Sequence, residues 1–396
     1  MCRLRSTALA SMLAIVVGVG AIPALAASGT IQPTNGRWTL AHWNRPSGGG
    51  ALGGISATSP TDVWAVGGLY FVGGLVEHWN GRAWERVQAP RYQQLGAVAA
   101  VTPTDAWAVG ARGDGCTSLP VIEHWNGQRW STMAAVTTPG SGVGELNSMS
   151  ADSPSDIWAV GEFTPHGTVC DGPPPKDIQR TRPLISHWNG HQWLVSDASP
   201  RGTGLSLVSV AALSPTNVWA VGNESVHHNG YRGIIEHWNG RTWRVVPSLH
   251  PGPRGRGFLR SMSAVGPHDI WAVGYYSASR TRQHTFVERW NGSVWRQIPS
   301  PNRACHLNEF SSISMLSPTD GWAVGDGGYC SDPSETSEAA HWNGMRWSMV
   351  PTENTGARGT YLGGVVTISH RVAWAVGQAA GREGTAGFGI IERYRP

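Results

Sequence analysis

The side chains that could do chemistry recur as a short phrase, Glu-His-Trp or a close relative, placed directly before an Asn-Gly dipeptide. Histidine can bind a metal ion or move a proton, and a glutamate beside a tryptophan suits the gripping and stacking of a sugar ring. The recurring glutamates are Glu77, Glu123, Glu236, Glu288 and Glu392, and the recurring histidines are His78, His124, His187, His237 and His341. One interpretation is a lectin with one sugar site in each repeat.

A structural role is the competing interpretation of these side chains, and the one we prefer. Ser186 and Ala340 replace the glutamate in two copies, and a residue that recurs on a regular strand more often serves packing or a cross-strand pair. The histidines belong to different repeats, so we predict no metal site and expect each to pair with a neighbouring strand or turn. Asp62 and its equivalents are interpreted as turn caps and not as general acids.

Motifs of known enzyme classes give no support for catalysis. The sequence contains no G-x-S-x-G, H-E-x-x-H or Walker segment, so we predict a protein that is not an enzyme and needs no cofactor. The alternative is a carbohydrate-active hydrolase or lyase built from scattered acidic and basic residues. Paired carboxylates in a cleft would favour that alternative.

A repeat positions these residues. The segment W-A-V-G or its equivalent occurs at intervals of 43 to 61 residues, with its tryptophan at Trp64, Trp107, Trp158, Trp219, Trp271, Trp322 and Trp374. A period near 50 is typical of repeat architectures. Each copy has a β-rich segment, a turn such as S-P-T-D, the W-A-V-G segment, and two further segments that flank Asn-Gly. Asn-Gly favours a two-residue type I′ hairpin, so we predict a four-stranded antiparallel meander for each copy.

Seven meanders without helical periodicity predict an all-β fold, a seven-bladed β-propeller that occupies residues 27–396 as a single domain. The last copy ends after three strands, whereas residues 35–38 (N-G-R-W) match the start of a fourth strand. We therefore expect the N-terminal strand to complete the last blade and close the ring, which protects the sheet edges. Trp64 and its equivalents are predicted to fill the wedges between blades, with the other repeated tryptophans further out.

The combination of S-P-T-D-V-W-A-V-G and H-W-N-G-x-x-W resembles the repeats of secreted bacterial propellers and, more broadly, kelch-type propeller repeats. The resemblance covers nearly all of the chain after its N-terminal segment. It implies a seven-bladed propeller and little about activity, because propellers host many functions. The segment N-G-R-T-W at Asn239 is also similar to the Asp-box of sialidase-like propellers. It lacks one residue and the aspartate, so sialidase activity does not carry over.

The residues that do not repeat lie in the connections between second and third strands and between blades. We expect these connections to emerge on one face of the ring, here called the loop face, and to carry the function. We therefore predict a non-catalytic binding protein that engages a protein or a glycan near the channel mouth on this face. The candidate ligand-binding residues are His227, His228, Arg260, Tyr275, Tyr276 and Arg280.

Four cysteines also fall in these connections, and none forms a C-x-x-C pair, so disulfides are favoured over zinc. Sequence alone permits three pairings. The positions of the four residues on the loop face lead us to predict the pairs Cys116–Cys170 and Cys305–Cys330.

The N-terminus predicts export. Arg3 and Arg5 precede a short apolar run that ends in A-L-A-A-S, which is typical of a signal peptide, here residues 1–26. We therefore expect a secreted, extracellular protein. No later segment approaches the roughly 20 apolar residues of a membrane span. The net charge is only +4 and no basic run stands out, so we expect no nucleic-acid partner. We expect a monomer.

Overall fold

Four-stranded antiparallel sheets form seven blades of a β-propeller in the part of the chain that the structure describes. The computed structural model describes residues 36–396 apart from residues 45–48, 70–72, 90–92, 114–116, 134–137, 139–141, 166–180, 197–203, 227–229, 250, 252–255, 280, 329–336, 354–358 and 382–386. In blades 1 to 6 the first strand lies innermost, and the strands follow one another outwards in chain order; in blade 7 the order is β26, β27, β28 and, outermost, β1. The predicted fold class is confirmed.

The strands have the following bounds. After β1 (Arg37–Asn44), blade 1 contains β2 (Gly50–Ser59), β3 (Asp62–Leu69), β4 (Gly73–Trp79) and β5 (Trp84–Arg86). Blade 2 contains β6 (Gln93–Thr102), β7 (Asp105–Arg112), β8 (Leu119–Trp125) and β9 (Trp130–Thr132), and blade 3 contains β10 (Val143–Ser153), β11 (Asp156–Thr164), β12 (Arg182–Trp188) and β13 (Trp193–Ser196). Blade 4 contains β14 (Leu205–Ser214), β15 (Asn217–Val226), β16 (Gly230–Trp238) and β17 (Trp243–Val246). Blade 5 contains β18 (Gly257–Gly266), β19 (Asp269–Ser277), β20 (Gln283–Trp290) and β21 (Trp295–Gln297), and blade 6 contains β22 (Leu307–Ser317), β23 (Asp320–Gly328), β24 (Ser337–Trp342) and β25 (Trp347–Met349). Blade 7 contains β26 (Thr360–Ser369), β27 (Val372–Ala379), β28 (Phe388–Arg395) and, as its outer strand, β1.

The first strand of the chain closes the ring, as predicted. Strand β1 pairs antiparallel with β28, with Trp38 opposite Tyr394. Trp38 is 1% exposed and meets Trp322 of blade 6 edge to face, with 4.9 Å between the ring centroids. Its backbone N–H also donates to the carbonyl of Pro351, at 3.0 Å. The N-terminal strand is therefore part of both the last sheet and the wedge beside it.

The tryptophans of the W-A-V-G segments fill the wedges between blades. Trp64 is 1% exposed, and its ring centroid lies 5.1 Å from that of Trp125 and 5.3 Å from that of Trp130, both in the next blade. Trp374 of the last blade contacts Trp79 and Trp84 of the first in the same way, at 5.2 and 5.3 Å. Aromatic pairs in tilted or edge-to-face geometry add to the burial energy. Six wedges contain the same three-tryptophan unit, and in the wedge between blades 6 and 7 Tyr394 replaces one of the tryptophans.

Buried serines of the innermost strands join neighbouring blades by hydrogen bonds. The hydroxyl of Ser261 in blade 5 accepts from the backbone N–H of Ile313 in blade 6, at 3.3 Å, and Ser263 accepts from Met315, at 3.0 Å. Equivalent bonds link other blades, through Ser56, Ser148, Ser150, Ser209, Ser312 and Ser314. These side chains satisfy backbone donors that face the adjacent blade and not a strand partner.

The Asn-Gly hairpins lie where the sequence predicts them, but the turn type differs. Trp79 pairs directly with Trp84, so the connection has four residues and not two. The side-chain oxygen of Asn80 accepts from the N–H groups of Arg82 and Ala83, at 2.9 and 3.0 Å, and Gly81 has a φ of +90°. Asparagine thus shapes the loop through its side chain, in the manner of an Asx-turn, and glycine supplies the left-handed backbone.

Candidate functional site

The recurring histidines have a structural role. His78 stacks on Trp64, with 4.1 Å between the ring centroids, and its Nε2 lies 2.6 Å from Oδ1 of Asp62. The same histidine–aspartate pair occurs in three further blades, at His124–Asp105, His187–Asp156 and His341–Asp320. The interpretation of Asp62 as a cap is corrected in part, because Ser59 accepts the turn N–H of Thr61 while Asp62 positions the histidine ring.

The recurring glutamates are buried and cannot contact a ligand in solution. Glu77, Glu123, Glu236, Glu288 and Glu392 are at most 1% exposed. Glu288 accepts hydrogen bonds from the hydroxyl of Ser248 and the N–H of Leu249, at 2.8 and 3.1 Å, in the segment that joins blade 4 to blade 5. Burial is therefore incompatible with the interpretation of one lectin site per blade, in which these carboxylates would grip sugar hydroxyls.

Every innermost strand has a β-bulge at the same position, directly beside the channel mouth. In blade 1, Leu52 pairs with Gly67, and the register shifts after Leu52 so that Gly53 has no partner. A Cβ on Gly67 would collide with the carbonyl oxygen of Ala51, and the glycine of each other W-A-V-G segment meets the same obstacle. The repeated glycine therefore allows a classic bulge. We call the unpaired residues the bulge residues; they are Gly53, Gly96, Asn147, Val208, Arg260, Ser311 and Gly363.

The residues stop recurring directly beside the repeated leucine–glycine pair. The adjacent cross-strand pair, one residue nearer the loop face, is different in all seven blades. We call these the mouth pairs; they are Ala51–Gly68, Gln94–Ala111, Glu145–Glu162, Ser206–Asn223, Phe258–Tyr275, Glu309–Asp326 and Tyr361–Gln378. The leucine is retained in six blades and is phenylalanine in blade 6. Packing therefore fixes the residue types in one layer of side chains, whereas the residue types in the adjacent layer vary from blade to blade.

Arg260 extends from its bulge across the mouth. Its Nη2 lies 3.5 Å from Oε2 of Glu309 in blade 6, and its guanidinium carbon lies 5.7 and 5.5 Å from the ring centroids of Phe258 and Tyr275. It is also close enough to Tyr361 of blade 7 for their charges to interact. Blades 5 and 7 are not neighbours, and only the channel brings them together, so the guanidinium lies at the channel mouth. Burial lowers the pKa of Arg260, but the charge of Glu309 and a hydrogen bond with it favour the protonated form, and the side chain stays cationic.

The mouth pair of blade 3 consists of two half-buried glutamates on adjacent strands. Burial, with the neighbouring charge of Glu162, raises the pKa of Glu145 to about 7. Burial also raises the pKa of Glu162, although a hydrogen bond with Ser206 of blade 4 opposes the change. At neutral pH the two carboxyl groups of this pair are therefore partly protonated.

The mouth pair of blade 6 repeats that arrangement beside Arg260. Burial raises the pKa of Asp326 to about 7, with a further contribution from the charge of Glu309, while Arg260 lowers it. Burial raises the pKa of Tyr275 to about 12 and also raises that of Tyr361, so both phenols stay protonated. Blade 6 thus brings two carboxyl groups, a guanidinium and two tyrosines into one cluster.

Glu338 departs from the repeat in the same blade. It lies opposite Gly325, at a position that holds an apolar residue in the other six blades, namely Leu75, Val121, Leu184, Ile234, Phe286 and Ile390. It is 0% exposed, and neither carboxyl oxygen has a hydrogen-bond partner within the described part of the chain. Burial raises its pKa to about 9; Arg303 opposes the change, and Asp326 and Glu309 add to it. This glutamate is a buried, neutral acid at pH 7.

The structure brings together two of the six candidate residues predicted from the sequence, Arg260 and Tyr275. Tyr276 lies on the opposite face of the sheet, where its hydroxyl is 3.3 Å from Nδ1 of His284. His227, His228 and Arg280 lie outside the described residues. Sequence reasoning missed Glu145, Glu162, Glu309, Asp326, Glu338 and Tyr361. An alignment of the repeats carries the signal for them, since each stands at or beside a position where the repeat breaks down.

The described residues include only some of the other features predicted from the sequence. Cys305 is buried and disulfide-bonded, but Cys116, Cys170 and Cys330 lie outside the described residues, so both pairings stay predictions. The described residues contain no group of three or more metal-ligating side chains. In that same part of the chain, no long apolar helix is available to cross a bilayer. The predicted signal peptide precedes the described residues.

Comparison with known proteins shows the fold. No protein-family model matches the chain, and no curated protein matches it. Among solved structures, it is similar to YCF48 bound to D1 peptide, with 14% identity over 95% of this chain and 100% of that chain, and a TM-score of 0.51. YCF48 from Cyanidioschyzon merolae gives 13% identity, coverage of 91% and 99%, and a TM-score of 0.51. A protein of unknown function from Dyadobacter fermentans gives 8%, 91% and 98%, and 0.50. At such identities the similarity speaks for the propeller fold alone, and the kelch-type and Asp-box resemblances stay predictions.

Proposed function

We propose that the protein is a secreted, non-catalytic binding propeller that holds a protein or a glycan on its loop face, over the mouth pairs. The observation that carries the proposal is the change from a repeated leucine–glycine pair to seven different pairs within one residue. Residues under packing constraint recur in every blade, whereas residues that contact a partner follow the shape and charge of that partner. The signal peptide predicted at residues 1–26 supports export.

A binding experiment tests this proposal. The mature protein is offered to a glycan array and used in a pull-down from extracellular material. A double variant, Glu309→Ala with Asp326→Gly, converts the mouth pair of blade 6 into that of blade 1 and should lose the partner. Arg86→Ala on the exposed outer strand β5 is the control and should retain it. No partner in either assay, or a partner bound equally by the double variant, would contradict the proposal.

The second candidate function is a carbohydrate-active hydrolase or lyase at the same place. Residues directly opposite on antiparallel strands have Cβ atoms about 4.5–5.5 Å apart, so Glu145–Glu162 and Glu309–Asp326 are paired carboxyl groups. Glycosidases use such pairs, and a carboxyl group with a pKa of about 7, like that of Glu145, suits a general acid. Release of reducing ends or unsaturated uronates from polysaccharides, abolished by Glu145→Gln, would establish this function. A complete lack of turnover would rule it out.

A further inference from the structure

The channel mouth is acidic on a chain whose formal net charge is +4. Among the mouth pairs and bulge residues, four are acidic, namely Glu145, Glu162, Glu309 and Asp326, and Arg260 alone is basic. Blades 3 and 6 stand three places apart in a ring of seven, the largest separation that the ring allows. The two acidic pairs therefore lie on opposite sides of the ring, each on the sheet face that packs against the next blade, beside Ser206 and Tyr361 respectively. A cleft lined by one sign of charge focuses the field and attracts the opposite sign.

The aromatic rings between those pairs already hold a cation. Phe258 and Tyr275 stack with 4.9 Å between their centroids, and Tyr231 lies 5.0 Å from Phe258. The guanidinium of Arg260 covers both stacked rings while facing the carboxylate of Glu309. The faces of Phe258 and Tyr275 are thus turned to each other and to Arg260, which leaves little face for a sugar ring. They demonstrate instead that a guanidinium fits between aromatic and carboxylate groups here.

Glu338 is a second observation, independent of the mouth pairs. A fully buried carboxyl group without a hydrogen bond costs stability, and six blades avoid that cost with an apolar side chain at the same position. Glu338 is close enough to Asp326 and Glu309 for their charges to act on it. Rules of packing and polar satisfaction are broken in natural proteins chiefly where a function requires it. Glu338 lies on the face of the sheet opposite to Glu309 and Asp326, and the charge of Arg303 already acts on it. It therefore marks blade 6 as the blade where acidic groups are kept at a cost to stability.

We propose that the mouth binds arginine side chains of a basic segment of a protein partner, with guanidinium groups seated against Glu145–Glu162 and against Glu309–Asp326. Arginine is chosen over lysine because its planar fork suits paired carboxylates and stacks on rings, as Arg260 does. This inference rests on the proposed binding function and names the chemistry of the partner. A neutral glycan would gain hydrogen bonds to the four carboxyl groups but no charge pairing with them, and it is the alternative outcome of the test.

The test compares two peptides that differ only in charge. A fluorescent peptide of four Gly-Arg repeats is titrated with the full mature protein and followed by anisotropy, and a peptide of four Gly-citrulline repeats is the neutral isostere. Charge-assisted hydrogen bonds contribute enough that the arginine peptide should bind at least about tenfold more tightly. Glu145→Gln and Asp326→Asn should each weaken binding by about tenfold, since both keep the shape and remove the charge. Glu85→Gln removes an exposed charge from the outer strand β5 and should change nothing.

The pH dependence supplies a separate readout. The charge of Glu162, which hydrogen-bonds with Ser206, acts on Glu145. The charges of Glu309 and Arg260 act on Asp326, which in turn acts on Glu338, Tyr275 and Tyr361. A guanidinium binds the ionised carboxylates and displaces their protons, so affinity should rise as pH rises through about 7. For each carboxyl group that ionises on binding, affinity should increase by about tenfold between about pH 6 and about pH 8. The citrulline peptide should show no such increase.

Two results would overturn the inference while leaving the proposed binding function intact. The first is equal binding of the arginine and citrulline peptides, or binding of neither, while the pull-down or the glycan array finds a partner. The second is a partner that binds Glu145→Gln and Asp326→Asn as tightly as the wild type and without pH dependence. A failure of the proposed function looks different, because the double variant of the mouth pair would then bind every retained partner unchanged.

Discussion

Replacing the buried Glu338 by leucine should stabilise the protein. Its pKa is raised from 4.5 to about 9, so the folded protein binds a proton at this site that the unfolded chain has released at neutral pH. Stability therefore falls as pH rises from about 4.5 to about 9, and it changes no further outside that window. At pH 7 the group is about 2.5 pH units above its unfolded pKa, which corresponds to a penalty of up to about 3 kcal/mol.

Leucine removes that penalty and restores the apolar contact made in other blades, such as that of Leu184, which is 1% exposed. The expected gain at pH 7 is about 3 kcal/mol. With an unfolding entropy of about 2.1 cal/mol/K per residue over roughly 360 residues, this gain raises Tm by about 4 °C. Differential scanning calorimetry at about pH 5, 7 and 8.5 should show a difference in Tm that widens with pH.

Two variants separate charge from packing in this experiment. Glu338→Gln removes the titration but keeps a buried polar group, so it should lose the pH dependence without gaining the full stability. Leu184→Glu introduces the same defect into blade 3 and should lower Tm increasingly as pH rises. If Glu338→Leu were no more stable than the wild type at pH 7, or if its advantage did not change with pH, the assignment of a buried neutral acid would be wrong.

Three further predictions concern the framework. Trp64→Ala should lower the free energy of unfolding in urea by about 3–5 kcal/mol, whereas Trp43→Ala, at a residue 46% exposed, should cost less than about 1 kcal/mol. Ser261→Ala leaves the N–H of Ile313 without its acceptor and should cost about 1–3 kcal/mol by the same measurement. Deletion of residues 1–45 removes β1 and should give aggregated or unfolded protein in size-exclusion chromatography, whereas removal of the predicted signal peptide alone should leave the elution and Tm of the ring unchanged.

The fold was predictable because the residues that build it recur. Each wedge needs the same indole at the same place, each hairpin needs Asn-Gly, and each bulge needs the glycine of W-A-V-G. Because the same structural requirement recurs in each blade, the pattern of residues that meets it can be recognised in a single sequence. The turn type was mispredicted because the Trp79–Trp84 pair fixes a four-residue connection, and this tertiary contact overrides the local preference of Asn-Gly for a two-residue turn.

The site was harder to predict for the opposite reason. Its residues are those that differ between blades, and a single glutamate such as Glu309 has no pattern that distinguishes it from a solvated loop residue. Glu145 and Glu162 are 17 positions apart in sequence, and only the strand register makes them neighbours. Arg260 and Tyr275 were selected for their side-chain types and their place near the loop face, which was enough to place two of the six candidates in the mouth.

Stability and binding make opposite demands on the mouth. Glu145, Asp326 and Glu338 each have a raised pKa because folding buries a carboxyl group with too few compensating partners, so each weakens the ring at neutral pH. The other blades show that the fold accepts alanine, glycine or leucine at equivalent positions. A cationic partner would supply the missing compensation, and the carboxyl groups would then contribute to the stability of the complex and not subtract from that of the free protein. Variants that remove these charges should therefore be more heat-resistant and bind the arginine peptide less tightly. If the gain in Tm and the loss of affinity did not occur together in the same variants, the acidic mouth would have to be explained without a cationic partner.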